Sequence, residues 1–121
     1  MMLFLLAALQ VNADDPTLTP PSQWSLVSST PSGNSTFIRT ADKGSIATNG
    51  RYWEHVINGT THTLIHREID CQKRTIRALF ISVEDRVTGT AESADLTTRN
   101  EIKPIAPGTT GDDARRFVCS T

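Results

Sequence analysis

Asp70-Cys71-Gln72-Lys73-Arg74-Thr75-Ile76-Arg77-Ala78-Leu79-Phe80 decides the fold of this chain, because it supplies the turn and return strand of a hairpin whose first arm is the run 61–71. An even-length connection around Gln72 and Lys73 sets Ile69 opposite Ile76, Glu68 opposite Arg77 and Ile65 opposite Phe80. Every pair is complementary. A slip of one residue would set Ile69 against Thr75 and Glu68 against Ile76, forfeiting a few tenths to about 1 kcal/mol per pair. In this register one face carries Ile65, Ile69, Ile76 and Phe80, and the other carries Leu64, Leu79, Ile81 and Val83 with His62, His66 and Glu68. Neither face is polar throughout, so both are expected to be covered. The chain can supply one cover, and a second copy docking on Leu64, Leu79, Ile81 and Val83 is expected to supply the other, as a homodimer.

Upstream of the hairpin, short runs of period two alternate with clusters of Gly, Asn, Asp and Ser, the pattern of antiparallel strands. Strands are expected at 24–28, 35–41 and 51–57, with a brief segment at 45–48. Asn49-Gly50 and Asn58-Gly59 both read as hairpin turns. Downstream, 85–96 is polar and contains Gly, which predicts a loop, and 98–105 predicts a last strand that Pro104 confines to an edge. Thr109 or Thr110 can cap a closing helix. Asp112 and Asp113 suit its N-terminal end, and Arg115 and Arg116 its C-terminal end. Ala114, Phe117 and Val118 then share one face, and Cys119 continues from it. The fold class that follows is mainly β, of α+β type: a small antiparallel meander with a C-terminal helix.

The chain has 121 residues, a net charge of −1 and two cysteines. No basic stripe marks it for nucleic acid. Residues 1–13 carry no charge, hold an apolar run from Leu3 to Leu9 and end Val11-Asn12-Ala13, so they read as an export leader. The run is too short to cross a bilayer of roughly 30 Å. Residues 14–23, rich in Pro and Thr, read as a flexible tail, and 24–121 as one domain. Export places Cys71 and Cys119 where a bridge forms and persists; two buried thiols are the alternative. No cysteine follows the apolar run, so a periplasmic or secreted location is expected rather than a lipid anchor.

Candidate sites are few. Lys73, Arg74 and Arg77 cluster at the hairpin end and could dock an acidic partner, with Glu68 neutralising Arg77 as the plainer reading. Tyr52 and Trp53 are read as structural. His62 and His66 alternate onto one face with Glu68, and His55 sits on the preceding strand, so a cross-strand metal or acid-base site is geometrically feasible, with partly exposed strand histidines as the plainer reading. With Leu64 between them, His62 and His66 lie roughly 13 Å apart along a strand and cannot share one metal ion. No nucleophile elbow or phosphate-binding Gly-rich loop is present, so no catalytic residue, cofactor or metal is expected. Asn34-Ser35-Thr36 and Asn58-Gly59-Thr60 match the glycosylation acceptor pattern and fall in turns.

The order of these signals resembles the surface-adhesin protein E family of exported bacterial proteins. The resemblance rests on Trp24, on Asp42 before Ser45-Ile46, and on Trp53 after a Gly. It continues through the Asp70-Cys71 hairpin with Arg74 and Arg77, and through Ile105-Ala106-Pro107-Gly108-Thr109 leading to Val118-Cys119. It implies a helix pinned to the sheet by Cys71 and Cys119, a tendency to dimerise, and attachment to host extracellular proteins without catalysis. A periplasmic domain that binds a small ligand or stabilises an envelope assembly is the alternative expectation.

A bridge between Cys71 and Cys119 removes roughly 4 kcal/mol of unfolded-state chain entropy. Cys71→Ser is therefore expected to lose most of that amount in urea unfolding, and thiol titration of the denatured, unreduced wild type should find no free thiol.

Overall fold

The computed structural model describes residues 23–97 and 101–120. The expected leader and tail, apart from Gln23, lie outside the described residues. Strands β1 (Trp24–Ser29), β2 (Ser35–Arg39), β3 (Asn49–Asn58), β4 (Thr61–Asp70), β5 (Thr75–Asp85) and β6 (Ala91–Asp95) lie side by side in sequence order. All their pairings are antiparallel. A short β7 (Lys103–Pro104) pairs with the turn end of β5, and helix α1 (Thr110–Val118) closes the chain. The expected meander with a C-terminal helix is therefore the observed architecture.

Turn chemistry sets the registers. Asn58 pairs with Thr61 across Gly59, whose φ of 59° is the positive value a tight hairpin needs at its first central residue. Between β4 and β5 the Asp70 carboxylate accepts the Gln72 and Lys73 amides at 3.1 and 2.9 Å, holding a turn that Arg74 completes at φ 55°. From that turn the ladder runs as expected through Ile69–Ile76, Glu68–Arg77 and Arg67–Ala78.

It then shifts. His66 pairs with Phe80 and Ile65 with Ile81, so β5 carries one extra residue, Leu79, as a β-bulge. The expected Ile65–Phe80 pair is thereby corrected. Leu79 is itself buried, and its carbonyl accepts the Leu96 amide at 2.8 Å, a bond outside the β4 ladder. The bulge exchanges faces: Phe80 joins His66, while Ile81 and Val83 come opposite Ile65 and Thr63. Leu64 thus lies on the face opposite Ile81 and Val83, and the four residues expected to form one self-association patch do not share a face.

Three further expectations change. Asn49-Gly50 is no turn but the start of β3, pairing with Asp70 and Ile69. Glycine is needed there for close approach, since a Cβ at position 50 would lie 3.2 Å from the Ile46 side chain. The segment 45–48 is no sheet strand. Ile46 instead bridges Cys119 at the end of α1: its N–H donates to the Val118 carbonyl and its carbonyl accepts the Ser120 amide, both at 2.9 Å. The expected loop 85–96 contains β6, whose Ala, Glu, Ser and Asp residues hold β-structure through pairing with β5 rather than through propensity. Of the expected strand 98–105, β7 is the part found among the described residues; Pro104, which has no N–H to donate, is its last residue.

The helix starts where Thr109 Oγ1 accepts the Asp112 amide at 3.3 Å. Buried Asp112 also accepts the Gly108 amide at 3.1 Å and pairs with Arg115 and Arg116, so its carboxyl is held below the usual range. Ala114 and Val118 of α1 pack on Ile38, Tyr52 and Ile69 of the sheet, with Ile46 and Ile105 from the connections. The Cys71–Cys119 bridge, with Cα atoms 6.0 Å apart, seals this core where the hairpin turn meets the helix end. Beside the core, buried Glu54 pairs with Arg67 at 3.1 Å across β3 and β4. Burial first, and then the Glu54 carboxylate, push the Tyr52 hydroxyl far above its ordinary pKa, so it stays protonated.

That buried hydroxyl has no hydrogen-bond partner among the described residues. A buried donor left unpaired costs about 1–3 kcal/mol. Tyr52→Phe is accordingly expected to raise unfolding stability by about 1 kcal/mol, measured as a higher urea midpoint with an unchanged slope.

Candidate functional site

Helix α1 and the bridge occupy one face of the sheet, the face of Ile38, Tyr52 and Ile69. On the other face, one row of residues crosses from β1 to β6. Trp24 pairs with Arg39; Arg39, one position beyond the Ile38–Glu54 pair, leads to Trp53; and Trp53 pairs with His66, His66 with Phe80 and Phe80 with Asp95. Alternation of side chains along a strand puts all six on one surface. Trp53 and His66 stack with centroids 4.3 Å apart and planes 12° apart, and Phe80 stands edge-on to Trp53 at 6.0 Å. Arg39 lies over the Trp24 ring at 5.3 Å.

The two ends of the row differ in exposure. Trp24 is buried and stands edge-on to His55, which is fully buried and contacts His62. Trp53, His66 and Phe80 are half-buried and reach solvent. Beside them on the same face, Glu68 is shared by Arg77 at 2.6 Å and Arg51 at 3.4 Å. The surface is therefore a block of stacked rings bordered by an ion-paired rim.

The basic trio of the hairpin end is divided by this geometry. Lys73 and Arg74 are exposed on the turn, while Arg77 lies on the strand beneath, engaged by Glu68. Lys73 and Arg77 line an open cleft of about 370 Å³ over Ile69 and Ile76, with Glu68 and Asp70 on the same walls. Of the expected self-association residues, Leu64 and Leu79 are buried, and Ile81 and Val83 lie on the helix side of the sheet, Val83 the more exposed. Among the described residues, no cluster of three or more His, Cys, Asp and Glu side chains is placed to hold a metal ion. No described helix is long and apolar enough to cross a membrane.

Trp53, read as structural from sequence, is half-buried and sits in the middle of the ring-bearing face, stacked on His66. Asn58-Gly59 could have revealed its pairing, because a two-residue turn there fixes Trp53 against His66. Phe80 carried no such signal, since its place depends on the bulge.

Comparison with known proteins adds no identification: no family model matches the chain, and no significant match was found among curated proteins or solved structures.

Partial burial against Trp53 and the nearby Arg51 cation lower the His66 pKa below the ordinary 6.5, with Glu68 opposing. The folded chain thus takes this proton less readily than the unfolded chain. The associated stability is full above 6.5 and declines as pH falls from there toward the folded value. An NMR titration should place the His66 midpoint below 6.5, and Arg51→Gln should raise it.

Proposed function

We propose that this chain is an exported, non-catalytic binding module of the adhesin E type, and that it docks a protein partner on the ring-bearing face of its sheet. The observation that carries this reading is the half-buried Trp53–His66–Phe80 stack with its Arg51–Glu68–Arg77 rim. Aromatic and Arg side chains are the groups enriched at protein interfaces, and pre-packed rings lose little conformational freedom when they bind. The disulfide is compatible with export, and the order of sequence signals from Trp24 to Cys119 supports the family reading. A host extracellular protein is the partner that this family reading names.

A second copy is a further occupant of the same face. Arg39 on β2 and Asp95 on β6 flank β4 symmetrically, so a two-fold axis along β4 through His66 would bring each Arg39 to the partner's Asp95. The row is thus self-complementary in charge as well as apolar in the middle. The cleft over Ile69 and Ile76 favours the second reading, a periplasmic domain that holds a small ligand or an envelope component.

Immobilised wild type and the variants Trp53→Ala and Phe80→Ser, each checked for β-type circular dichroism, should be offered host matrix proteins and envelope extract in parallel. The reading predicts capture of a matrix protein, weakened about thirtyfold in both variants, the size of a 2 kcal/mol hot-spot loss. Capture that both variants retain, or capture from envelope extract alone, would move the function to the cleft. Light scattering of the same proteins tests the second copy: a dimer that becomes a monomer in Phe80→Ser places self-association on this face.

A further inference from the structure

Sequence spacing predicts no metal at His55, His62 or His66, and His62 and His66, four residues apart along β4, cannot reach one ion. The fold brings together a different pair. His55 on β3 and His62 on β4 are diagonal neighbours on the ring-bearing face, because His55 pairs with Leu64 and Ile57 with His62. His62 Nδ1 and His55 Nε2 lie 3.3 Å apart with ring centroids at 5.3 Å and planes tilted by 56°. Two imidazole nitrogens bound to one tetrahedral zinc ion, each at about 2.0–2.1 Å, stand about 3.3 Å from each other. The separation a shared hydrogen bond sets here is therefore also the separation that a shared zinc ion sets.

We propose that His55 Nε2 and His62 Nδ1 form a two-imidazole site for a divalent zinc ion. Binding puts the metal where the N–H hydrogen lay between the two nitrogens, and that hydrogen moves to the other nitrogen of the ring that carries it, so both rings act as neutral ligands and the neutral pair releases no net proton. His55 supplies the fixed ligand: it is fully buried, and Trp24 stands edge-on to its ring at 5.5 Å. His62 is half-buried and gives the ion its route from solvent. Water completes the coordination, which makes the site exchangeable rather than structural, in keeping with a fold whose core is already closed by a disulfide. The site is independent of the docking reading and stands or falls separately from it.

The test is calorimetric titration of the untagged, metal-stripped chain with zinc chloride, followed by NMR of the imidazole signals. One zinc per chain is expected, with the His55 and His62 signals shifting and the His66 signal, on a neighbouring row, left in place. His62→Asn is expected to abolish the binding while the chain still folds in chelator, with a melting temperature lowered by a few degrees at most, because the buried His55 loses its His62 contact but keeps its packing against Trp24. Absence of binding heat in the wild type, or zinc binding that survives His62→Asn, would overturn the proposal. If His62→Asn does not fold, wild-type NMR decides it: shifts confined to His66 or to carboxylate residues contradict the site.

Discussion

The placement of one extra residue in β5 governs the surface of this protein. Hairpin pairing has a strict period of two, so an inserted residue moves every later side chain to the opposite face. Below Leu79 the β4–β5 ladder serves the core, with Ile69 and Ile76 under the helix. Above it the assignment reverses, and Phe80 arrives beside His66 and Trp53 instead of beside Ile65. Without the bulge the open face would lose the ring that stands against Trp53, and the helix face would gain an aromatic side chain next to Ile65. The Leu79 carbonyl, bonded to the Leu96 amide, ties this irregularity to the chain segment that ends β6.

On the face away from α1, Trp24 and His55 are buried while Trp53, His66 and Phe80 are half-buried. The sheet is wide, and among the described residues one α-helix lies on it, against the face of Ile38, Tyr52 and Ile69. The disulfide and the Ile46 bridge decide which face. Cys71 sits in the β4–β5 turn, Cys119 caps α1, and Ile46 reaches both, pressed against Gly50 where no side chain intervenes. These contacts join three distant parts of the chain at the end of the sheet nearest the turn. Among the described residues, the opposite face is held by ring stacking and ion pairing, as in Trp53–His66 and Arg51–Glu68–Arg77.

Much of this was legible in the sequence, and the reasons are specific. Ile69–Ile76 and Glu68–Arg77 announced their register through complementary chemistry close to the turn, and Thr109 with the Ala114–Val118 spacing announced the helix. Local signals failed where a distant contact decided the outcome. Asn49-Gly50 has the composition of a turn, yet glycine stands there to admit Ile46. Residues 91–95 have a loop composition, yet the free edge of β5 recruits them as a strand. The bulge left no mark at all, because Leu79 is as good a regular strand residue as a bulged one. The candidate site was accordingly less legible than the fold: Trp53 and His66 could be paired from Asn58-Gly59, whereas Phe80 and the His55–His62 contact needed the three-dimensional register.

Cross-strand nuclear Overhauser effects between β4 and β5 test the central claim most directly, since they read the register residue by residue in solution. The structure predicts contacts between the Ile65 and Ile81 backbones and between the Phe80 and Trp53 rings, alongside the Ile69–Ile76 pair near the turn. Ile65 found opposite Phe80, with the Phe80 ring against the helix-side core and away from Trp53, would contradict the bulge and with it the aromatic face.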